Sequence, residues 1–363
     1  MDIYVLDKSF NRVGIIDVME SIVWTDRYNS FGDFELYTAV SLDLLNLLQE
    51  DYYLQISKSN HTMIIESIEI KTNIENGNKL VVRGRSLESI LDRRIVWTQT
   101  LISADVQDGI WQLLLDSFIT PTGTNGSTQR KVSNFIFSYN SDPVVTAPTM
   151  VGQFVSENVY ELVSSLCLNN GLGFKLLLNS SNQFEFSVYA GVDHSYSQSI
   201  NPFVIFSPEF DNLINSDYFQ SGRYRKTWAL VFGHETDDGQ LYRVNAALGN
   251  WPSLQGLDQK EIYVDASYVS RFIEGTTTPI DPTVYSNQLR EVGNQVLSKN
   301  TKINQFDGMA DTTKGFVYGV DFGLGDIVQI ENEYGLTGRS RVTEVTISEN
   351  LSGVTIYPTF GIL

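Results

Sequence analysis

Apolar and polar residues alternate with a period of two along much of this chain, interrupted by stretches with the period of a helix. The alternation is clearest in residues 316–330, FVYGVDFGLGDIVQI. Small and apolar residues lead into Gly323-Leu-Gly325-Asp326, and Ile327, Val328 and Ile330 resume the run. The glycines open backbone angles closed to other residues, and Asp326 can bond a nearby backbone N–H, so the pattern predicts a tight turn between two strands. Residues 340–349, a turn around 350–353 and residues 354–360 then predict a hairpin. A similar order stands near the start. Phe31-Gly32-Asp33-Phe34 breaks an aromatic extended run, Phe34-Glu-Leu-Tyr37 resumes it, and residues 63–70 and 80–84 flank a turn at Glu75-Asn-Gly77. Gly32, Asp33, Gly323, Gly325 and Asp326 are therefore the candidate structural turn residues. The shared order reads either as a duplication of one small β-domain or as a pattern common to antiparallel β-domains. The spacing differs, 33 residues from Asp33 to Glu66 against 18 from Asp326 to Glu344, and leaves both readings open.

Taken in order, residues 1–97 predict a first β-unit, with strands at 2–6, 12–16, 21–25 and 33–40, then a helix-like LDLLNLL at 42–48. It closes with a short helix in 86–95 that Ser86 could cap. Arg93-Arg94 beside it either complement the helix dipole or grip a partner's carboxylate. Residues 98–197 predict an α+β unit. Its amphipathic helices lie in 104–118 and 156–168, the second stopped by Asn169-Asn-Gly171, and 173–178 with 183–189 form a hairpin. Polar stretches at 120–128 and 138–148 read as loops. Residues 198–262 and 313–363 are β-like and read as one discontinuous unit, with strands in 227–233 and 240–246 around a turn at Asp237-Asp-Gly239. Residues 263–312 are the helix-containing insert, its helix at 284–297 carrying an apolar stripe of Leu289, Val292, Val296 and Leu297.

Composition agrees with this β-rich α+β, multidomain reading. At 363 residues the chain has room for roughly two to four domains. With 42% hydrophobic and 19% charged residues it is a globular chain, and 18 Tyr and 20 Phe favour strands. The net charge of −18 opposes general nucleic-acid binding and adsorption to anionic membranes. Such acidity suits either a passage through which DNA slides without sticking or simple solubility. The N-terminus lacks a signal-peptide pattern, and no run of 18 apolar residues exists to form a membrane anchor.

The candidate chemistry is sparse. His61, His194 and His234 are far apart, without metal-ligand spacing, and each beside a strand end or turn reads as solvated. Cys167, the only cysteine, sits in an apolar helical pattern and reads as a core residue. Neither a G-x-S-x-G elbow, a phosphate-binding loop nor a calcium loop is present. Gly171-Leu-Gly173 and Gly323-Leu-Gly325 lack the rest of a dinucleotide fingerprint. Asp237-Asp238 reads as a hairpin turn, and Glu66 and Glu69, an odd number apart on a strand, should face opposite ways. No catalytic, cofactor-binding or metal-ligating residue is predicted.

Several segments together resemble siphophage tail hub or baseplate hub proteins, the family that includes the N-terminal structural region of tail-associated lysins. They are Trp24-Thr-Asp-Arg-Tyr28 with Gly32-Asp-Phe-Glu-Leu36, Gly84-Arg-Ser-Leu87 through Leu91-Asp-Arg-Arg94-Ile-Val96, and Gly171-Leu-Gly-Phe174. Tyr189-Ala-Gly191-Val-Asp193, Phe206-Ser-Pro-Glu-Phe210-Asp-Asn-Leu213 and Leu324-Gly-Asp-Ile-Val328 continue the match in the family's order, almost end to end. The resemblance implies two tail-tube-like β-barrel domains, at 1–97 and at 198–262 with 313–363, plus α+β insert domains. It implies a homotrimeric ring that adapts a sixfold tail tube to the distal tip of the virion and helps form or gate the DNA exit channel. The implied partners are a distal tail or tail tube protein, the tape measure protein, and a tail fibre, tip or receptor-binding protein. DNA would pass through the lumen without specific binding. Assembly in the host cytoplasm follows, with no enzyme activity and no cofactor. Many relatives carry a C-terminal peptidase or fibre extension, and this sequence stops at Leu363. The alternatives are a tail-borne cell-wall hydrolase using dispersed carboxylates, or a carbohydrate-binding tail component using aromatics such as Trp97, Trp111 and Trp251.

Overall fold

In the computed structural model, which describes residues 1–73, 77–121, 127–236, 239–247, 254–310 and 314–361, the alternating stretches form strands whose inward residues build three buried clusters. First come β1 (Ile3–Leu6), β2 (Arg12–Ile16), β3 (Ser21–Arg27), β4 (Asp33–Ala39), the short helix α1 (Leu42–Leu47), β5 (Tyr53–Ile56), β6 (Met63–Asn73) and β7 (Gly77–Ser86). A 3₁₀ segment, Leu87–Arg93, leads to β8 (Thr100–Asp105) and α2 (Val106–Leu114), which continues as a π-turn through Leu115–Ile119. Next are the single turn α3 (Ser127–Arg130), β9 (Phe135–Ser138), a second single turn α4 (Pro143–Thr146), β10 (Thr149–Phe154), α5 (Val159–Asn169), β11 (Gly173–Leu178) and β12 (Phe184–Tyr189). The remainder comprises β13 (Ile205–Phe206), β14 (Leu213–Ser221), β15 (Trp228–Glu235), β16 (Leu241–Ala246), β17 (Glu261–Asp265), α6 (Pro282–Lys299), β18 (Ile303–Ala310), β19 (Ile327–Glu331), β20 (Thr337–Asn350) and β21 (Gly353–Gly361).

One sheet organises the molecule. Its order is β13-β19-β20-β3-β4-β7-β6-β5-β1-β2, with β21 on the other edge of β20. β20 is long enough to take β19 along Thr337–Arg341 and β3 along Glu344–Asn350, so the first and last parts of the sequence share one hydrogen-bonded ladder. The expected pair of separate closed barrels is therefore corrected: among the described residues no sheet closes on itself. The physical reason is at β3, whose edge away from β4 is occupied by β20 and cannot return to its own half. Both halves bury one continuous cluster, from Ile3, Trp24 and Leu36 to Phe206, Ile347 and Phe360.

The second cluster lies under α2, α5 and the β11–β12 hairpin, with Cys167 fully buried in it. Burial pushes the Cys167 thiol far above its usual range, so it stays protonated there. The third cluster joins α6 to β15, β16 and β17 through Tyr285, Leu289 and Leu297. The helix expected in 263–312 thus packs on strands from 228–265, and its other face lies against β10 and α5.

Two local expectations change. Residues 316–326 form turns instead of an extended run: Gly315 and Gly319 take positive φ, and the Asp321 carboxylate accepts a hydrogen bond from Val317 N at 2.7 Å. The strand begins only at Ile327. Ser86 does not cap the following 3₁₀ turn; its hydroxyl accepts from Gly32 N at 2.7 Å instead. The turn residues Glu75, Asp237 and Asp238, part of the 120–128 loop, and Trp251 lie outside the described residues.

Candidate structural site: the Tyr28 junction

Four of the segments that carry the resemblance meet at one side chain. Tyr28 follows β3, is 1% exposed, and lies between the turn at 323–326, the loop before β11 and the segment after β12. Its hydroxyl shares its proton between Gly171 O at 3.1 Å and Tyr189 O at 3.3 Å, and accepts from the Arg341 guanidinium at 3.3 Å. The same Arg341 nitrogen donates to Gly325 O at 2.8 Å, and the guanidinium lies 5.0 Å over the Tyr28 ring. Burial pushes the phenol up to about 12, so it remains a donor. Tyr28 N and O bond Thr343 O and Phe174 N, and its ring meets Tyr189 edge-on at 5.1 Å.

The glycines are required by contact. A Cβ on either Gly173 or Gly325 would stand 2.3 Å from the Tyr28 ring, and one on Gly191 would stand 1.9 Å from Gly325 O. Gly325 also holds φ at +94°. Asp326 closes the turn: one carboxylate oxygen accepts from Gly323 N at 2.6 Å, the other from Val192 N at 2.7 Å. Burial raises its pKa, with these N–H groups, His194 and Arg341 opposing. Gly323, Gly325 and Asp326 are thus brought together, whereas Gly32 and Asp33 serve the far end of the 28–32 loop. A Cβ on Gly32 would stand 2.1 Å from Thr25 O, and Asp33 pairs with Arg27 at 2.9 Å. The two Gly-Asp breaks do different jobs.

Behind this junction lies a buried ionic network that the sequence reading missed. Trp24 Nε1 and Ser59 Oγ donate to the two oxygens of Asp26, at 3.0 and 2.6 Å. His61 Nδ1 lies 3.0 Å from Glu88 Oε1, which also accepts from Leu176 N at 2.9 Å. His61 is 9% exposed, so its reading as a solvated residue is corrected. Burial pulls its pKa down, but Glu88 and Asp26 outweigh that and raise it to about 9. Burial pushes Glu88 up, yet His61 and hydrogen bonds leave it lowered; for Asp26 burial wins and its pKa is raised. The charged imidazole is thereby compensated on both sides, and the network ties β3 and the 3₁₀ turn to β11. His194 is also mostly enclosed, its Nδ1 2.8 Å from Pro202 O, while His234 is exposed.

A groove of about 360 Å³ on the opposite face of β3, β4, β7 and β6 carries the carboxylates weighed for catalysis. Glu66 and Glu69 face the same way, not opposite ways, because β6 bulges between Ile65 and Ser67 and the alternation slips by one. Arg85 grips Glu66 with two bonds of 2.8 and 2.9 Å, and Arg83 holds Glu35 and Glu69. Each is an ion pair on the sheet surface. Arg93 reaches Asp51 at 3.9 Å, and Arg94 bonds backbone carbonyls and covers Phe118. Trp97 is 48% exposed beneath Arg130, and Trp111 stacks near Tyr139. Among the described residues no group of three His, Cys, Asp or Glu is placed to hold a metal, and no helix is long and apolar enough to cross a membrane.

The comparisons with known proteins agree with this architecture. The prophage tail protein gp18 from Listeria monocytogenes EGD-e matches with a TM-score of 0.56 at 11% identity, over 99% of this chain and 94% of that one. The prophage MuSo2 43 kDa tail protein from Shewanella oneidensis matches with 0.57 at 11%, over 99% and 98%. A tail protein from Neisseria meningitidis MC58 gives 0.53 at 11%, over 99% and 96%. At such identity the likeness is one of fold. No curated protein matches the sequence. The sequence itself matches, over residues 2–362, the family described as Siphovirus ReqiPepy6 Gp37-like protein, and with the expected kinship to siphophage tail proteins the chain belongs to that family.

Proposed function

We propose that this chain is a structural, non-enzymatic component of a siphophage tail, placed at the distal end as a hub. Three copies form a ring that adapts the tail tube to the tip and helps gate the DNA exit channel. The observation that carries this reading is the match in fold to tail proteins along 99% of the chain. The Tyr28 junction supports it, because it bonds three distant parts of the sequence to one another. In this reading residues 1–97 and the strands after 313 are the two tube-like halves. Residues 98–197 form the first insert, and α6 of the 263–312 insert joins β15, β16 and β17 as an outer lobe, while β18 pairs with β14. Gly32, Asp33, Gly323, Gly325 and Asp326 are structural turn residues. The partners are a distal tail or tube protein, the tape measure protein, and a fibre or tip protein.

Light scattering of the purified protein tests the ring. The expected mass is three times the chain mass of 40.9 kDa, with a ring in negative stain. A single chain at every concentration would overturn it.

A further inference from the structure

The chain enters and leaves its outer lobe through a neck. Lys226 N donates to Asn300 O at 2.8 Å, Thr227 N to Lys260 O at 2.8 Å, and the Lys260 ammonium reaches Gly222 O at 3.5 Å. These bonds gather Arg223, Arg225, Lys226, Lys260, Lys299 and Lys302, all exposed except the half-buried Lys226. Among the described residues none of the six has a carboxylate within ion-pair distance. The Lys226 ammonium bonds Glu261 O, and the Glu261 carboxylate accepts from Gln259 instead. Six cations elsewhere, Arg27, Arg83, Arg85, Lys8, Lys79 and Lys314, each hold a carboxylate, whereas Arg12, Lys58, Lys175 and Arg290 stand singly. Six of the 25 cations of a −18 chain therefore lie around the neck with no carboxylate at ion-pair distance, though Lys299 also lines a cavity with Glu157 and Glu161. Tyr224, 65% exposed under Arg223, adds apolar area to the patch.

A complementary surface exists at the end of the large sheet. Among the described residues β2 pairs only with β1, so its outer edge has unpaired backbone groups, and Val13, Ile15 and Val18 are exposed beside it. Just beyond the Ile3–Ile16 pair stand Asp2 and Asp17, both exposed and without a cation in reach, like charges on neighbouring strands. Cations from outside would relieve that repulsion. We propose that the neck of one copy docks on the β2 rim of a second copy, its arginines and lysines facing Asp2 and Asp17. The two surfaces differ, so the contact is head-to-tail and closes a ring when the rotation between copies permits. This inference rests on the ring reading and assigns its contact.

The test is native mass of the full chain against salt, for wild type, for Arg223→Glu with Arg225→Glu, for Asp2→Lys with Asp17→Lys, and for all four changes together. Wild type should associate at low salt and come apart at high salt. Each reversal alone should raise the concentration needed for association at least tenfold, and the fourfold variant should recover it. Lys260→Gln with Lys302→Gln, a milder pair, should weaken association by a smaller factor if the neck reversal fails to fold. A wild type that is always a single chain overturns both the ring and this contact. An oligomer indifferent to all the reversals overturns the contact alone. So does retention of wild type on a single-stranded oligonucleotide with its mass unaffected by the reversals.

Discussion

At the scale of single residues, Tyr28 ties distant parts of the sequence together, and its glycine neighbours are set by its ring. Gly325→Ala adds a Cβ against that ring at a positive φ, so both strain and overpacking oppose folding. The expected loss is about 1–3 kcal/mol in denaturant unfolding. His61 gives a pH signature. Its folded pKa of about 9 lies above its unfolded value of 6.5, so its contribution is fully present below pH 6.5 and is lost as pH rises toward 9. A denaturant midpoint that falls across that window in wild type, and stays flatter in His61→Gln, is the expected result. Burial raises the Asp26 carboxyl as well, so the His61→Gln comparison isolates the imidazole's share. The Gly323–Asp326 turn could be read from sequence because glycine and aspartate have few local uses. The His61 network could not, since Asp26, Ser59, His61 and Glu88 are polar residues in ordinary strand and turn contexts, and only the tertiary fold buries them.

At the scale of elements, periodicity located β1 to β4, α1, α5, the β11–β12 hairpin, α6 and the β20–β21 hairpin within a few residues. It missed β14 and β18, whose sequences LINSDYFQS and INQFDGMA break alternation with Asn, Ser, Asp and Gly. Those strands are held by pairing with each other, which no local pattern reports. The same limit applies to the β6 bulge, where register comes from β7. Helix caps were not legible: Ser86, the one cap read from sequence, does not cap, and the cap of α5 was not named. Asn158 accepts from Tyr160 N and Glu161 N, and also donates to Asp92 at 3.0 Å, tying α5 to the preceding 3₁₀ turn. Asn158→Ala should cost about 1–2 kcal/mol, measured by chemical denaturation.

At the scale of the molecule, the outer lobe is an insertion with adjoining ends, since Lys226 and Asn300 share a backbone bond. Its core of Val231, Tyr285 and Leu289 is its own. Replacing 226–300 by a short Gly-Ser linker should leave a protein with a strand-type circular dichroism spectrum and a cooperative melt. A featureless spectrum would show that contacts of α6 with β10 and α5 are indispensable. The closed barrels implied by resemblance were not legible in either direction from pattern alone, because alternation fixes which face a residue takes and not which strand it meets.

The β3–β20 ladder also constrains how the molecule comes into being. Arg27 and Glu344 bond across a separation of 317 residues, and the Met1 ammonium meets Glu349 at 2.7 Å. During synthesis β3 leaves the ribosome early and must wait with one edge bare until β20, 317 residues on from Arg27 to Glu344, emerges. Contacts so distant in sequence make for slow maturation and a long exposure to mispairing. A nascent chain stalled before residue 344 would therefore expose the β3 edge that β20 covers in the folded protein.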